Sequence, residues 1–223
     1  MEKSGLEEGA RSVTSEQDAG EAVSVAEMRA RDLKTIESGV PSRELMGRAA
    51  RGIYEACGGW ADGTVILAGS GNNGGDGFAL SVILAEQGFS CTVLSMNEKR
   101  TPDSAWYEER AEALGVRTGL FEPGKDLLRN APVIVDCLLG TGFRGDPSPL
   151  YASAIHEINR AKQQGSFVIS ADINSGMNGD TGEGITVVDS DLTVTIGLMK
   201  RGLLTRDAKK HIGALRLARI GIL

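Results

Sequence analysis

A strand, a glycine-rich loop and a helix near residue 70 limit the possible folds of this chain more than any other feature. Val65 to Ala68 is a short apolar run typical of a buried strand, and it leads directly into the nine residues GSGNNGGDG at 69–77. Residues 78–87 then have the spacing of a helix, which Gly88 ends. Such a unit is typical of proteins built on a parallel sheet.

The same alternation of strands and helices continues along the chain. Two helices, at about 25–38 and 42–57, precede the first strand, and the first of them begins with a capping box formed by Ser24 and Glu27. Further strands are predicted at 91–94, 116–119, 133–138, 167–173 and 192–196, and further helices at about 105–114 and 151–163. This order predicts an α/β fold with a mostly parallel sheet that helices cover on both faces.

Composition sets limits on domains and partners. The 223 residues, 41% of them hydrophobic, are enough for one large domain. Residues 1–22 hold six acids, two bases and almost no apolar periodicity, so we expect a disordered acidic tail there and a single domain at 23–223. The net charge of −6 argues against the clustered basic surface that nucleic-acid binding requires. Because no apolar run reaches the roughly 18 residues of a membrane span, we expect no membrane contact either.

The cysteines and histidines do not indicate a nucleophilic site. Cys57, Cys91 and Cys137 are odd in number and far apart, which predicts buried thiols in a reducing cytoplasm. His156 lies in a helical pattern and His211 in a basic run, and neither has a paired nucleophile. We therefore expect both histidines to be structural.

The glycine-rich loop at 69–77 offers groups for ligand binding. Its first six residues fit the pattern G-x-G-x-x-G, in which glycines allow a phosphate to approach the N–H groups of a helix N-terminus. A tight turn that requires glycine is the alternative explanation. Asn72, Asn73 and Asp76 add oxygen atoms that suit a hard cation or a polar substrate ring. The next strand ends in SMN at 95–97, without the acid that binds ribose in dehydrogenases, which disfavours an NAD-dependent oxidoreductase.

Two later strands each deliver a carboxylate to a polar loop. Asp136 lies near the end of one apolar run, and Asp172 ends another. A buried carboxylate needs a cation, a hydroxyl or backbone donors, and simple bonding to loop N–H groups is an equally weighted explanation for Asp136. Because parallel strands end at one edge of the sheet, Asn73, Asp136 and Asp172 are predicted to emerge together.

The segments GSGNNGGDG, VDCLLGTGFRG and ADINSGMNGDTG, at 69–77, 135–145 and 171–182, resemble the three signature loops of the NAD(P)H-hydrate (NAD(P)HX) epimerase family, the YjeF N-terminal domain. The resemblance covers about residues 23–220, including Asp32 and Gly39 in the opening helices. It implies a Rossmann-like three-layer α/β/α sandwich that is usually a homodimer. It also implies nicotinamide nucleotide repair, in which the R and S forms of NADHX or NADPHX are interconverted.

The resemblance also assigns site residues. It implies substrate binding by Asn72, Asn73, Gly74, Gly75, Asp76, Gly140, Thr141, Gly142, Phe143, Arg144, Gly145, Asp146 and Asp172. It implies a potassium ion (K+), or another monovalent cation, that fixes the loops through Asn73, Asp136 and Ser175. Asp172 is the expected catalytic acid/base residue, because a carboxylate that faces a loop site can exchange a proton with the hydrate.

Two further positions bear on this hypothesis. Lys200 matches a lysine of the family, for which contact with phosphate, closure of the site and an ordinary surface position all stay open. Asn174 stands where the best-known members carry proline, which removes a fixed φ and leaves a side chain free to hydrogen-bond.

The rival class is a non-catalytic nucleotide- or protein-binding module of the same fold. Retention of Asn73, Asp136, Asp172 and Ser175 favours catalysis, since apolar replacements would have favoured reuse. In many bacteria the domain is fused to an ADP- or ATP-dependent hydrate dehydratase. We therefore expect a stand-alone or excised epimerase that is functionally coupled to such a dehydratase.

Overall fold

The computed structural model describes residues 22–223, and within them seven strands form a single all-parallel sheet. The strands are β1 (Thr64–Ala68), β2 (Cys91–Ser95), β3 (Arg117–Leu120), β4 (Val133–Cys137), β5 (Phe167–Ala171), β6 (Leu192–Ile196) and β7 (Ala214–Ala218). Their order in the sheet is β3-β2-β1-β4-β5-β6-β7. The predicted parallel α/β sheet is confirmed. The acidic segment at 1–22 falls outside the described residues except for Ala22.

The helices lie before and between these strands. They are α1 (Val25–Glu37), α2 (Ser42–Cys57), α3 (Asn72–Glu86), α4 (Pro102–Ala113), the short α5 (Phe121–Gly124) and α6 (Pro149–Gln163). Short 3-10 helices follow at Lys125–Asn130, Arg201–Leu204 and Ala208–Lys210. No helix in the described part of the chain is both long and apolar enough to cross a membrane.

Side chains that alternate along the strands divide the core into two layers. On β1, Ile66 and Ala68 pack with α2 and α3, whereas Val65 and Leu67 pack with α6 on the opposite face. Both sets are buried, because a parallel sheet has helices on each side. The three-layer α/β/α sandwich is therefore confirmed.

The order in which successive strands are added to the sheet reverses at β1. The strands β2 and β3 extend the sheet on one side of β1, and β4 then returns to its other side. The loops after β1 and β4 begin together, where the N–H of Gly69 donates to the carbonyl of Cys137 at 3.0 Å. A cleft forms at such a switch point, beyond the carboxyl ends of the strands.

Two predicted boundaries are wrong. Helix α3 begins at Asn72 and not near Phe78, so most of the expected loop forms the first turns of the helix. Glycine makes this close packing feasible, because a Cβ at Gly74 would overlap the carbonyl of Gly69, and one at Gly77 would lie 3.0 Å from the Cβ of Cys137. The strand β5 ends at Ala171 and not at 173, because the next residue turns the chain away.

The predictions for cysteine and histidine have mixed outcomes. Cys91 and Cys137 are buried free thiols, as expected. Cys57 is only half-buried, because it ends α2 and its thiol donates to the carbonyl of Gly59 at 3.0 Å. His156 is exposed on α6, and Nδ1 of His211 lies 2.6 Å from the carboxylate of Asp189. Among residues 22–223, neither imidazole ring is hydrogen-bonded to a serine, threonine or cysteine side chain.

Candidate active site

A cleft of about 520 Å³ lies at the switch point of the sheet. Helices α1 and α2, the start of α3 and the loop after β4 form its walls. The predicted site residues that line it are Asn72, Asn73, Asp76, Gly140, Thr141, Gly142, Phe143 and Asp172. Arg29, Asp32 and Lys200 complete the charged groups of its lining.

Asp172 follows β5 directly and faces this cleft. Its φ of 68° is the only positive value among the non-glycine residues described. Its N–H donates to the carbonyl of Val194 at 2.8 Å, and its Oδ1 accepts from the N–H of Ile196 at 3.3 Å. Strained backbone of this kind persists where neighbouring structure fixes it, and it is frequent at functional sites. The strand end therefore presents the carboxylate in one defined orientation.

Lys200 is an ion-pair partner of Asp172 within the protein. Its side chain is only 1% exposed, and its ammonium donates to Oδ1 of Asp172, to Oγ1 of Thr195 at 3.2 Å and to the carbonyl of Ile196 at 2.5 Å. The surface alternative for Lys200 is wrong. Since three acceptors match the three donors of an ammonium group, Lys200 has no hydrogen left for a phosphate.

Two more carboxyl groups share the cleft with this pair. Burial raises the pKa of Asp32 to about 6, with a smaller increase from the charge of Asp172 and an opposing effect of Lys200. Burial, together with the charges of Asp172 and Asp32, also raises the pKa of Asp76 well above its usual value. We call Asp32, Asp76, Asp172 and Lys200 the ionisable cluster. It combines one ion-paired carboxylate with two carboxyl groups whose pKa values are raised, which favours their protonated forms.

Asp136 lies beneath the cleft and not in its wall. It is fully buried, and its Oδ1 accepts from the Ser175 hydroxyl at 2.5 Å and the Leu138 N–H at 3.2 Å. Its Oδ2 accepts from the Ser170 hydroxyl and the Ser175 N–H, both at 2.9 Å. Burial raises the pKa of Asp136, and these hydrogen bonds oppose the increase. Ser175 also accepts from the N–H of Leu139 at 2.9 Å, which fixes the loop after β4.

Asn73 has unused hydrogen-bonding groups. It lies in the first turn of α3, only 9% exposed, and neither Oδ1 nor Nδ2 has a partner among the described residues. It contacts the loop after β4, because a Cβ at Gly140 would lie 3.2 Å from the Cβ of Asn73. Buried polar atoms without partners are rare in proteins, so this amide is prepared for a ligand.

Other predicted site residues lie outside the cleft. Gly74 is packed inside α3 against Gly69, and Gly75 against the side chain of Met46. The remaining ones, which do not appear in the cleft lining, are Arg144, Gly145 and Asp146. Arg144 makes an ion pair of 3.3 Å with Asp180.

The side chain of Asn174 is held by hydrogen bonds within the protein. Its Nδ2 donates to the carbonyl of Val188 at 2.8 Å and to Ser190 and the carbonyl of His211, both at 3.0 Å. Its Oδ1 accepts from the hydroxyl of Thr193 at 2.7 Å. The side chain thus anchors the segment between Asp172 and Ser175 without a proline.

Sequence reasoning missed one member of the ionisable cluster as a site residue. Asp32 belongs to α1, far from the three loops, and only its place one turn after Met28 on the buried side of the helix indicates that it faces inward. The resemblance included Asp32 only as part of an opening helix.

The known proteins that are similar to this chain include some of about the same length and some that are much longer. The NAD(P)H-hydrate epimerase of Limosilactobacillus fermentum is 32% identical over 207 residues, which cover 89% of this chain and 96% of that protein. The bifunctional NAD(P)H-hydrate repair enzyme Nnr of Coxiella burnetii is 35% identical over 191 residues, and the chain spans only 38% of its length.

A solved structure and a family profile agree with these relatives. The crystal structure of the yeast protein YNL200c superposes with a TM-score of 0.75 over 86% of this chain and 84% of that one, and its 19% identity supports the fold alone. The sequence profile of the family described as YjeF-related protein N-terminus matches residues 42–202. The profile covers more than half of the chain, and the chain therefore belongs to the YjeF-related protein N-terminus family.

Proposed function

We propose that residues 23–223 form an NAD(P)H-hydrate epimerase domain, which interconverts the R and S forms of NADHX and NADPHX. Relatives that this chain matches along nearly their whole length carry that name. The observation that carries the proposal is the ionisable cluster, because it places an ion-paired carboxylate and two carboxyl groups of raised pKa around one cleft.

The chemistry of a hydrate defines what the site must do. When water adds to a reduced nicotinamide ring, the hydroxyl joins a carbon bonded to the ring nitrogen, as in any enamine. To invert that carbon, the hydroxyl must leave as water while the nitrogen lone pair forms an iminium. Water must then add to the opposite face and lose a proton. One water leaves and one returns, so no oxidant or other reactant is needed.

The ionisable cluster supplies both proton transfers in this proposal. A protonated Asp76 or Asp32 donates its proton to the departing hydroxyl. Asp172, the catalytic residue expected from the sequence, accepts a proton from the incoming water. Lys200 acts as a positioning residue, since its ammonium orients the Asp172 carboxylate and all three of its hydrogen bonds go to groups of the protein. Carboxyl groups in different environments are a usual way to obtain an acid and a base at one site.

The proposed substrate contacts follow the two loops of the switch point. Residues 72–76 and 140–146, with Asp172, are retained as the proposed substrate-binding set. Members that line the cleft contact the substrate directly, whereas Gly74 and Gly75 act by letting the start of α3 pack closely against Gly69 and against Met46 of α2. Arg144, Gly145 and Asp146 contribute to substrate binding at the outer end of the loop after β4.

The residues present fit the proposed potassium ion. The unpaired Oδ1 of Asn73 and the buried carboxylate of Asp136 are oxygen ligands of the kind that a hard cation prefers, and Ser175 adds a hydroxyl. Leu139 and Gly140 link the three, since Leu139 donates to Ser175 and Gly140 contacts Asn73. A bound potassium would supply positive charge that stabilises the loops, and it takes no part in the proton transfers.

The proposal extends to partners and location. Bifunctional relatives support functional coupling to an ADP- or ATP-dependent NAD(P)HX dehydratase. We also propose a homodimer, for which Leu33 and Ile36 on α1 offer exposed apolar side chains. The three free cysteines support a cytoplasmic location.

The decisive test couples this protein to a dehydratase that consumes only S-NADHX. Purified R-NADHX is supplied with the dehydratase and its nucleotide, and potassium is present. The proposal predicts that R-NADHX disappears faster when the protein is added. Asp172→Asn should abolish the acceleration, whereas Asp126→Asn, an exposed position of the 3-10 helix after α5, should leave it unchanged. No acceleration by a folded wild-type protein would contradict the proposal and favour a binding module.

A further inference from the structure

Helix α1 carries an arginine into the cleft beside the ionisable cluster. Arg29 and Asp32 lie three residues apart and both line the cleft, together with Met28 and Ile36 of the same helix. The family resemblance assigns no role to Arg29. Its side chain is exposed at the mouth of the cleft, whereas Met28 is buried.

Contacts at its N-terminus fix α1 relative to the loops of the site. Ser24 and Glu27 form a capping box, and the N–H of Val25 donates to Asp180 at 2.7 Å. Glu27 also pairs with Arg201 at 2.9 Å, next to the buried Lys200. These contacts fix the part of α1 that carries Arg29 relative to the loops of the site.

The guanidinium of Arg29 lies against the loop after β4. A Cβ at Gly142 would lie 3.2 Å from Nη2 of Arg29, so the absence of a side chain at Gly142 leaves the room that the guanidinium occupies. Among residues 22–223 no acid, carbonyl or ring pairs with Arg29, whereas Arg144 pairs with Asp180. Thr141 and Gly142 likewise keep their backbone N–H groups without a partner in the described part of the chain.

The charged groups around the cleft leave Arg29 as the cation to which an anionic ligand can bind. Three carboxyl groups and two basic groups line the cleft, and Lys200 is committed to Asp172. Arg29 is thus the one cleft-lining cation of the described residues that is available to a ligand. Arginine with adjacent backbone N–H groups is a typical phosphate site, because the guanidinium donates two parallel hydrogen bonds.

We propose that Arg29, with the N–H groups of Thr141 and Gly142, binds the pyrophosphate of the dinucleotide. The proposal rests on the proposed function, since it assumes that the ring of the substrate lies at the ionisable cluster. Arg29 is about 5 Å along the helix axis from Asp32. One ribose separates the nicotinamide ring from the first phosphate, which places the pyrophosphate at the Arg29 side of the cleft.

Steady-state kinetics with NADHX test this role. Arg29→Gln is expected to raise KM about 10-fold with kcat nearly unchanged, because a lost charge-assisted hydrogen bond weakens ground state and transition state alike. Arg29→Lys should recover part of the loss. Lys34→Gln makes the same charge change at an exposed position of α1 outside the cleft lining and should leave KM unchanged. An unchanged KM in Arg29→Gln would overturn the proposal.

Substrate analogues identify which phosphate is bound. If the pyrophosphate is the partner, Arg29→Gln weakens NADHX and NADPHX equally and affects the hydrate of reduced nicotinamide mononucleotide less. A loss confined to NADPHX would overturn the proposal in favour of the additional ribose phosphate.

Binding of ADP-ribose, measured by calorimetry, separates this proposal from the proposed function. ADP-ribose contains the pyrophosphate and lacks the reacting ring. Weaker binding to Arg29→Gln than to wild type supports the pyrophosphate site even if wild type does not epimerise. Equal binding to both overturns it even if wild type does epimerise.

Discussion

Replacement of Lys200 by methionine would test whether the buried ion pair with Asp172 organises the site. Methionine keeps most of the apolar stem and removes an ammonium that serves three acceptors. Loss of one partner from a buried ion pair costs about 3–5 kcal/mol, because the other charge stays buried alone. The side chain of Asp172 is 14% exposed to the cleft, and water there can solvate it in part. We therefore expect Lys200→Met to lower the free energy of unfolding by about 3 kcal/mol.

Urea unfolding followed by circular dichroism measures this loss. With a slope of about 3 kcal/mol per molar urea, the midpoint should fall by about 1 M. Lys125→Met removes a lysine whose ion pair with Glu122 is exposed, and should change stability by no more than about 0.5 kcal/mol. The double variant Lys200→Met/Asp172→Asn removes both charges and should recover at least half of the loss.

Two results would refute the reasoning. A loss below about 1 kcal/mol in Lys200→Met would mean that water already screens the pair, as at a protein surface. A double variant no more stable than Lys200→Met would mean that the lost hydrogen bonds to Thr195 and Ile196, and not the unpaired charge of Asp172, cause the loss. In either case Lys200 would not be the group that fixes the Asp172 carboxylate.

Three further predictions address the acids, the cation and the helix start. Because the pKa of Asp32 is about 6 in the folded protein and near 3.8 when unperturbed, the folded state binds the extra proton between these values. Stability should therefore fall as the pH rises from about 4 to about 6. Asp32→Asn should remove about 1 kcal/mol of that fall, because solvent partly screens a group that is only partly buried. Equal urea midpoints for both proteins at each pH would contradict this. The melting temperature should rise when potassium replaces tetramethylammonium, and Asn73→Ala should remove the rise, whereas an identical response in wild type and variant would exclude Asn73 as a ligand. Gly74→Ala should lower the free energy of unfolding in urea by about 3 kcal/mol, because the new Cβ meets backbone that cannot move aside. Gly71→Ala places its Cβ in open space and should be tolerated. Similar losses in the two variants would refute this account of the helix start.

Most of the fold could be predicted from the sequence, because periodicity reports which faces are buried. Strands β1 to β6 appear within two residues of their expected positions, and α2 has the expected bounds. The strand β7 was missed, since Arg216 interrupts its short apolar run at the edge of the sheet. The start of α3 was missed because local propensity disfavours glycine in a helix, while tertiary packing against β1 and β4 requires it.

The candidate site could be predicted only where residues follow strands. Asn73 and Asp172 reach one cleft as expected, because their places at parallel strand ends fix them. The structure adds Asp32, which lies 140 residues before Asp172, and it shows that Lys200, 28 residues after Asp172, is the ion-pair partner of that carboxylate. Their meeting depends on how α1 and the chain after β6 pack over the sheet, which no local pattern encodes.

Asn174 illustrates how a departure from a pattern can keep the geometry of a site. Loss of proline leaves φ free, and from the sequence alone this weakens the expectation that Asp172 and Ser175 are fixed. In the folded protein, the buried Asn174 side chain instead accepts from Thr193 and donates to groups from two other segments. These bonds connect the chain after β5 to β6 and to the residues before β7. A local constraint on one dihedral angle has thus been replaced by a tertiary constraint on a side chain, so the orientation of Asp172 in this protein depends on the packing of the sheet edge and not on the loop alone.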